Sequence, residues 1–452
     1  MDDHPDQTAQ AIPLGEALLY WLKLGFISFG GPAGQIAMMH HELVERRRWI
    51  SEHRFLHALN YCMLLPGPEA IQLAIYIGWL MHGLLGGVMA GILFFLPSFF
   101  ILVGLSWVYL ALGHLTTVAG VLYGIKPAVI AIVLFAAWRI GSKALSSKPL
   151  YAFAASAFLA IFVFDVPFPW IVLVAGLAGY VGGQKFPDQF KAGGGGHGSS
   201  GKDYGPAIIG DHTPTPAHAR FSWPRVVRFV AAGLAIWLIS MLLLVAHSGW
   251  QGTMAQLGWF FTKAAMLTIG GAYAVLPYVY QGAVDHYHWL TGVQMIDGLA
   301  LGETTPGPLI MVVTYVGYVA GWTKALFGSD SLAWSGLVAA AIATWFTFLP
   351  SFIFILVGGP IVESTHNEIK FTAPLTGITA AVVGVIVNLA LFFAWHALWP
   401  QGHAEAPFSG RFEWLAAVMA IASFVALWRY KIGIIPVIGS CAAIGLGYAL
   451  LG

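Results

Sequence analysis

The sequence predicts an all-α polytopic membrane protein made of two homologous halves. Of its 452 residues, 58% are hydrophobic and only 9% are charged, whereas soluble domains carry about 25% charged residues. The apolar runs are about 20 residues long, enough to cross a bilayer as a helix, while membrane β-strands alternate over about ten residues. These observations exclude a soluble enzyme, a nucleic-acid-binding protein and a disordered chain.

About 13 hydrophobic segments follow one another along the chain. They lie at residues 16–39, 55–81, 84–112, 119–138, 150–164, 167–184, 226–246, 256–280, 295–321, 333–358, 372–397, 413–428 and 432–451. We expect about nine full spans and four broken or re-entrant helices among them. The acidic start MDDHPDQ lacks the basic region of a cleaved signal peptide, so we expect the first segment to be retained.

A polar stretch rich in Gly, Ser and Pro separates the halves, and its composition is typical of a flexible linker. The spacing of its histidines fits no tight metal site, so we interpret them as solvated. These histidines are His197, His212 and His218. The predicted units are an N-terminal repeat at 1–184, a cytoplasmic linker at 185–225, an extra span at 226–246 and a C-terminal repeat at 247–452.

The two halves keep one register through their first motifs, KLGFISFGGPAGQ and KAAMLTIGGAYAV. The pairs at an offset of 240 residues are Lys23 and Lys263, Gly30-Gly31 and Gly270-Gly271, and Pro66-Gly67-Pro68 and Pro306-Gly307-Pro308. Farther along, Pro97-Ser98 matches Pro350-Ser351 at an offset of 253. Internal repeats of this kind are typical of secondary transporters.

The distribution of basic residues predicts that the repeat is inverted, because cytoplasmic loops carry an excess of Lys and Arg. The basic clusters of the first half all lie inside if the first two segments are re-entrant hairpins, broken at GGP and PGP. The extra span then turns the second half over, so that loop 281–294, which lacks Lys and Arg, lies outside. Two full spans in place of the hairpins would give the same parity elsewhere.

The breaks themselves predict an anion site. A broken membrane helix exposes N–H groups at its new N-terminus, and these groups and the helix dipole attract anions. Glycine also lets the backbone approach a ligand closely. Helix packing explains an isolated Gly pair better, but the duplication in register favours a site. We therefore expect the substrate at the glycines and prolines of both motif pairs.

Polar side chains near the breaks are further candidates, because charges inside a membrane are costly and usually functional. Lys23 and Lys263 are expected to balance the charge of a divalent anion, with snorkelling as the alternative. Glu69 and Glu303 are expected to carry a proton or to brace a broken helix. The uncharged candidates for oxyanion binding are Gln35, Gln72, Thr304, Thr305 and Asn388. Lys126, beside Pro127, is expected to be interfacial.

Several motifs are missing from the sequence. It contains no phosphate-binding G-x-x-x-x-G-K-[ST], no H-E-x-x-H and no G-x-S-x-G. Its two cysteines, Cys62 and Cys441, form no metal or disulfide pattern. We therefore expect neither an ATP motor nor an enzyme, and neither a cofactor nor a metal. The expected partners are an anion and the lipid bilayer, with no nucleic acid, and a homodimer is left open.

The segments FGGPAGQIAMMHHELVERRRWIS, LLPGPEAIQLAIYIGW and GETTPGPLIMVVTYVGY resemble the chromate ion transporter family in its long two-domain form. The resemblance covers nearly the whole chain outside the linker and termini, and the paired PGP motifs are its most specific part. One departure is Ala272, which stands where the first half has Pro32. This difference predicts an asymmetric site.

The resemblance implies a bacterial inner-membrane transporter that exports chromate by alternating access and confers chromate resistance. It also implies competition by sulfate. The energy source would be the membrane potential or the proton motive force. The residues alone indicate only a secondary transporter for an oxyanion. Sulfate or another tetrahedral oxyanion, an anion channel, and a chromate reductase with a redox cofactor are the alternatives.

Overall fold

The computed structural model describes residues 12–29, 31–190, 204–211, 213–269, 271–364, 372–402, 406 and 408–451. Within these ranges the chain forms sixteen α-helices and one isolated bridge, between Ile50 and Ile209. Six segments are long and apolar enough to cross a membrane: Glu69–Leu112, Thr116–Ala144, Trp223–Ser248, Ser329–Ser364, Ala373–Leu398 and Ile434–Leu451. The predicted all-α polytopic class is confirmed.

The helices of the second half repeat those of the first. The first half contains α1 (Leu14–Ile27), α2 (Gly31–His40), α3 (Glu52–Leu64), α4 (Glu69–Leu112), α5 (Thr116–Ala144), α6 (Lys148–Phe164) and α7 (Phe168–Lys185). The extra helix is α8 (Trp223–Ser248). The second half contains α9 (Thr253–Leu267), α10 (Ala272–Tyr280), α11 (Gly292–Thr304), α12 (Val312–Thr323), α13 (Leu332–Ser364), α14 (Thr372–Leu398), α15 (Trp414–Trp428) and α16 (Ile434–Leu451).

The change of offset from 240 to 253 has a structural cause. Helix α4 corresponds to both α12 and α13. Its two arms meet at a sharp bend where His82 and Gly83 leave helical geometry, with a φ of 63° at Gly83. The second half replaces this bend with a longer connection between Thr323 and Leu332. In both halves the two arms pack closely through glycine, as at Gly78 against Gly86 and at Gly317 against Ala339.

The repeat extends to single backbone angles. Each half has a π-helical turn at the same place, His41–Arg46 and Gln281–His286. Each turn is followed by a left-handed residue, Arg48 with a φ of 53° and His288 with a φ of 49°. Each of these positions in the first half is 240 residues from its equivalent in the second half. The halves are therefore two copies of one fold.

Both broken segments of the first half are re-entrant hairpins. The Glu16 carboxylate, in the first turn of α1, lies 2.6 Å from the Arg47 guanidinium that follows α2, so α2 returns to the level at which α1 starts. The His82 ring, at the end of the first arm of α4, contacts the carbonyl of Ile12 at 2.8 Å. We call this end of the molecule the basic end, since it carries Arg47, Arg54, Lys143, Lys185, Arg225 and Arg429.

The second half is inverted relative to the first. The Phe168 N–H, at the start of α7 and far from the basic end, donates to Gln281 Oε1 at 3.1 Å, just after α10. The hairpins α9–α10 and α11–α12 therefore have their ends at the opposite end of the molecule. The packing is also exchanged: α5 packs against α14, α15 and α16, while α14 packs against α5, α6 and α7. Among the described residues six segments are long and apolar enough to cross a membrane and three shorter apolar helices accompany them, and the number of about nine full spans stays a prediction.

The inverted hairpins predict opposite labelling of two equivalent exposed positions. Arg46 and His286 are repeat mates at the ends of the two π-helical turns, and both native cysteines are buried. We expect Arg46→Cys to react with an impermeant maleimide only in inside-out vesicles, and His286→Cys only in intact cells. Reaction of Arg46→Cys from outside intact cells would contradict the re-entrant hairpin.

The interpretation of the whole linker as flexible was wrong. The Ile208 N–H donates to the Arg48 carbonyl at 2.9 Å, and Arg54 Nη2 donates to the Thr213 carbonyl at 2.5 Å. The His218 ring contacts the Trp79 carbonyl at 2.8 Å and is therefore not a solvated linker histidine. The composition of the linker gave a wrong prediction of flexibility because a few apolar residues and unpaired backbone groups suffice to fix a segment against a helix end. His197 and His212 lie outside the described residues.

Candidate functional site

Two equivalent breaks interrupt the first hairpin of each half. Helices α1 and α9 are capped at their C-terminal ends by Ser28 and Thr268, and the chain turns into α2 and α10 at Gly31 and Gly271. Their φ angles of 74° and 103° lie in the left-handed region, which glycine adopts without a steric penalty. The predicted site glycines Gly30 and Gly270 lie outside the described residues.

Each Pro-Gly-Pro turn packs against the break of the other half. The Gly307 N–H donates to the Ser28 carbonyl at 2.6 Å, and the Gly67 N–H donates to the Thr268 carbonyl at 2.7 Å. Each glycine therefore satisfies a carbonyl that the broken helix leaves without an intrahelical partner. We call the first junction site A, with Ser28, Gln35, Ser98, Pro306 and Gly307. The second junction is site B, with Pro66, Gly67, Gln72, Thr268 and Ser351.

Two helix N-termini meet at each site. Helices α2 and α12 begin beside site A, and α4 and α10 begin beside site B. The residues that precede α4 and α10, Pro68 and Gly271, provide no side-chain hydrogen bond to the first turn. The first N–H groups of a helix have no partner within the helix, and they carry its partial positive charge. The four N-termini together form an environment that favours an anion.

Two buried glutamines make the sites asymmetric. Gln35 Nε2 donates to the Gly307 carbonyl at 2.6 Å, across the interface between the halves. Gln72 Nε2 donates to the Pro66 carbonyl at 2.7 Å, within its own turn. Their repeat mates, Val275 and Val312, are apolar. The sequence predicted asymmetry from Ala272 alone, whereas the larger difference is the loss of both glutamines in the second half.

A pair of serines, which we did not predict as site residues, completes the two sites. The Ser98 hydroxyl donates to the Pro306 carbonyl at site A. At site B the equivalent carbonyl is occupied by Gln72, and the Ser351 hydroxyl finds no partner among the described residues. The repeated Pro-Ser-Phe motif was visible in the sequence and is the signal that locates them.

Three buried polar atoms remain unpartnered across the two sites: Gln35 Oε1, Gln72 Oε1 and Ser351 Oγ. All three side chains are 0% exposed. Buried polar atoms in proteins almost always have a hydrogen-bond partner. These atoms are therefore placed to bind a polar ligand or water between the halves.

The two predicted carboxyls are not repeat mates, yet both lie near site B. Glu69 is the first residue of α4, directly after the Gly67 turn. Glu303 Oε1 accepts a hydrogen bond of 2.5 Å from the Tyr273 hydroxyl, in the first turn of α10. This bond ties the two hairpins of the second half together, as expected of a helix brace. The predicted oxyanion donors Thr304 and Thr305 instead donate to the Leu301 carbonyl of their own helix.

The two predicted lysines lie away from the buried sites. Lys23 is exposed, whereas its neighbour Leu24 is buried. Lys263 is partly buried and lies over the Trp259 ring at 5.7 Å from its centroid. Their role in neutralising a bound anion remains a prediction.

A buried ion pair lies between the sites and the end opposite the basic end. Lys126 Nζ is 3.5 Å from Asp297 Oδ1, and the Tyr109 hydroxyl donates to Asp297 Oδ2 at 2.9 Å. We call these three residues the Asp297 cluster. The interfacial position of Lys126 stays a prediction, but its acidic partner on α11 was not expected, because sequence spacing does not reveal it.

A second ionic cluster lies between the sites and the basic end. Arg54 Nη1 is 3.7 Å from Glu363 Oε2, and the Tyr76 hydroxyl donates to Glu363 Oε1 at 2.6 Å. We call these three residues the Glu363 cluster. Both clusters join elements of the two halves, and the carboxylate side chains are only 4% and 9% exposed. Their partners are far apart in sequence, so no local pattern could have indicated them.

Two inverted repeats whose membrane helices break in the interior, with helix N-termini at the breaks, are the architecture of a secondary transporter. The sequence profile described as "Chromate transporter" matches residues 15–180 and 255–446. The chain belongs to the chromate transporter family.

Named relatives agree with the family assignment. A chromate transport protein of Pseudomonas aeruginosa is 32% identical over 444 residues, covering 96% of this chain and 93% of the relative. A chromate transport protein of Cupriavidus metallidurans is 30% identical over 388 residues, covering 86% and 84%. An uncharacterised transporter of Bacillus subtilis is 31% identical over 147 residues, covering 32% of this chain and 70% of the relative. No solved structure matches the chain.

Proposed function

We propose that the protein exports chromate across the bacterial inner membrane by alternating access, and so confers chromate resistance. The observation that carries the proposal is the exchange of Pro-Gly-Pro turns and helix breaks between the halves, which brings two helix N-termini to each of two buried sites. Membership of the chromate transporter family supports chromate as the substrate. The basic end is taken as cytoplasmic.

The proposed roles follow from what each group offers. The backbone N–H groups at Gly31, Gly271 and after the Pro-Gly-Pro turns donate to the oxygens of the anion. The free Ser351 hydroxyl is a further donor at site B. Glu69 and Glu303, beside site B, are the candidates for proton coupling. The charge balance assigned to Lys23 and Lys263 is part of the proposal and is tested below.

The membrane potential is a sufficient driving force for export. Moving one elementary charge through 100 mV is worth about 2.3 kcal/mol, so a dianion leaving a negative interior gains about twice that energy. This corresponds to an equilibrium concentration ratio of more than a thousandfold, since each 1.4 kcal/mol is about tenfold. A coupled proton is the alternative source of energy.

The test is chromate uptake into inside-out vesicles, with and without an imposed potential. In inside-out vesicles the basic end faces the medium, so an outside-negative potential corresponds to the negative interior of the cell. We therefore expect chromate uptake into wild-type vesicles to grow with an outside-negative potential. Sulfate is added as a competitor, and Gly104→Ala serves as the control variant because a Cβ there meets no atom within 4 Å. Absence of chromate uptake together with clear sulfate flux would replace the substrate and keep the architecture.

Variants of the two lysines separate the backbone sites from the lysine charges. Under the proposed charge balance we expect Lys23→Ala to lose much of the uptake, although Lys23 is exposed; uptake that is kept would leave the anion to the backbone sites alone. Loss of uptake in both Lys23→Ala and Lys263→Ala, with normal protein levels, would show that the lysine charges are required. Flux that stays linear in concentration without saturation would indicate a channel.

A further inference from the structure

The Asp297 and Glu363 clusters are placed on opposite sides of sites A and B. Arg54 lies in the first turn of α3, near the basic end, whereas Asp297 lies in α11, whose first residue is near the opposite end. Helices α3 and α11 are repeat mates, and each leads to a Pro-Gly-Pro turn at the sites. An anion that moves between either end of the molecule and the sites must therefore pass the level of one cluster.

The two clusters join equivalent pairs of elements. The Glu363 cluster ties α3 of the first half to α13 of the second, and the Asp297 cluster ties α11 of the second half to α4 of the first. The His57 ring contacts the Val362 carbonyl at 3.3 Å. By the offsets of 240 and 253, these two residues are the repeat mates of Asp297 and Tyr109. The same inter-half contact is thus made once towards each end.

Electrostatics favours the opening of these clusters one at a time. Separating a buried ion pair in a dry interior leaves two uncompensated charges, which is strongly unfavourable. Separation is tolerated when water reaches both charges, as it does when that end of the transporter opens. Both carboxylate side chains are paired and almost fully buried here, with Glu363 9% and Asp297 4% exposed.

We propose that the two clusters are the gates of the transporter, the Glu363 cluster towards the basic end and the Asp297 cluster towards the opposite end. Opening of α3 and the first arm of α4 away from α13 separates Arg54 and Tyr76 from Glu363 and admits the anion from the basic end. Opening of α11 away from α4 and α5 separates Asp297 from Lys126 and Tyr109 and releases the anion at the opposite end. The inference rests on the proposed function for its direction and substrate, but not for the existence of the gates.

Two reporter cysteines lie behind the gates at equivalent positions. The native Cys62 lies in α3 between the Glu363 cluster and the Gly67 turn, and it is buried. Its repeat mate is Gly302 in α11, where a Cβ would meet only ordinary contacts, the nearest to Val312 at 3.5 Å. The reporters are Cys62 in a Cys441→Ser chain and Gly302→Cys in a Cys62→Ala/Cys441→Ser chain.

The test weakens one gate at a time with conservative variants. Tyr76→Phe removes only the hydroxyl that donates to Glu363, and Tyr109→Phe removes only the one that donates to Asp297. A hydrogen bond to a charged group is worth enough to shift a two-state population by about tenfold. The control is Tyr123→Phe, which removes an equivalent bond of 2.8 Å to Glu413 outside both clusters.

We expect reciprocal changes in labelling by an impermeant maleimide. Tyr76→Phe should raise the rate at Cys62 in inside-out vesicles by about tenfold and lower the rate at Gly302→Cys in intact cells, and Tyr109→Phe should do the reverse. Tyr123→Phe should change neither rate. Higher rates at both reporters in either variant, or no change at either, would overturn the gates. Reciprocal labelling without chromate flux would refute only the proposed function.

Discussion

Replacement of Gly67 by alanine is expected to abolish transport and to destabilise the protein. Gly67 has a φ of 127°, and a Cβ would lie 2.5 Å from Gln72 Nε2 and 2.6 Å from Ser351 Oγ. The backbone strain costs about 1–3 kcal/mol, and overpacking adds about 1–3 kcal/mol. The Gln72 amide and the Ser351 hydroxyl must move to relieve the clash, which disturbs the hydrogen bond from Gln72 Nε2 to the Pro66 carbonyl at site B. Vesicle uptake and thermal unfolding in detergent would measure the two losses.

Two further glycines separate the causes of this effect. Gly31 has a φ of 74° but a Cβ there meets no atom within 4 Å, so Gly31→Ala carries the strain without the clash. Gly104→Ala in α4 carries neither and should be neutral or slightly stabilising, because alanine favours a helix by about 1 kcal/mol. We expect destabilisation in the order Gly67→Ala, Gly31→Ala, Gly104→Ala. Wild-type transport by Gly67→Ala would refute the role of the turn.

Removal of one partner of the Lys126–Asp297 pair is expected to destabilise the protein more than removal of both. Lys126→Met leaves the Asp297 carboxylate, 4% exposed, without its counter-ion. Such an unpaired buried charge costs about 3–5 kcal/mol, whereas an apolar replacement of the whole pair is often neutral or stabilising. The double variant Lys126→Met/Asp297→Leu should therefore be more stable than Lys126→Met. Unfolding in mixed micelles would measure the difference.

An exposed pair provides the matched control for this cycle. Arg46 is 67% exposed and pairs with Glu42 at 3.1 Å on the π-helical turn. Because solvent screens such pairs, Arg46→Met should change the free energy of unfolding by less than about 1 kcal/mol. Equal stabilities of the single and double Lys126 variants would show that Asp297 does not depend on Lys126.

The sequence predicted the breaks and the topology because both have local chemical causes. A GG or PGP motif interrupts a helix wherever it stands, since glycine weakens it and proline lacks an N–H. The positions of Lys and Arg along the chain, together with the repeat, then gave the two re-entrant hairpins and the inversion. The Glu16–Arg47 contact and the Phe168–Gln281 hydrogen bond confirm these predictions.

The predicted site was only partly located by the sequence. Gly67, Gly307, Gln35 and Gln72 were singled out and are buried at the two junctions. Lys23 was singled out by its cost in a membrane, but the orientation of one residue on a helix depends on what packs around that helix, and its side chain is exposed. A charged residue inside an apolar run therefore indicated a candidate site residue, but not the direction in which its side chain points from the helix.

The sequence alone determined the class of protein, the two repeats, the points at which the helices break and the inversion of the second half, because composition, local helix chemistry and charge are properties of short segments. Only the tertiary structure decided that each Pro-Gly-Pro turn binds the break of the other half, that Gln72 leaves Ser351 unpaired, and that Lys126 meets Asp297. These contacts join residues that are distant in the chain, and their geometry is set by how the two halves pack.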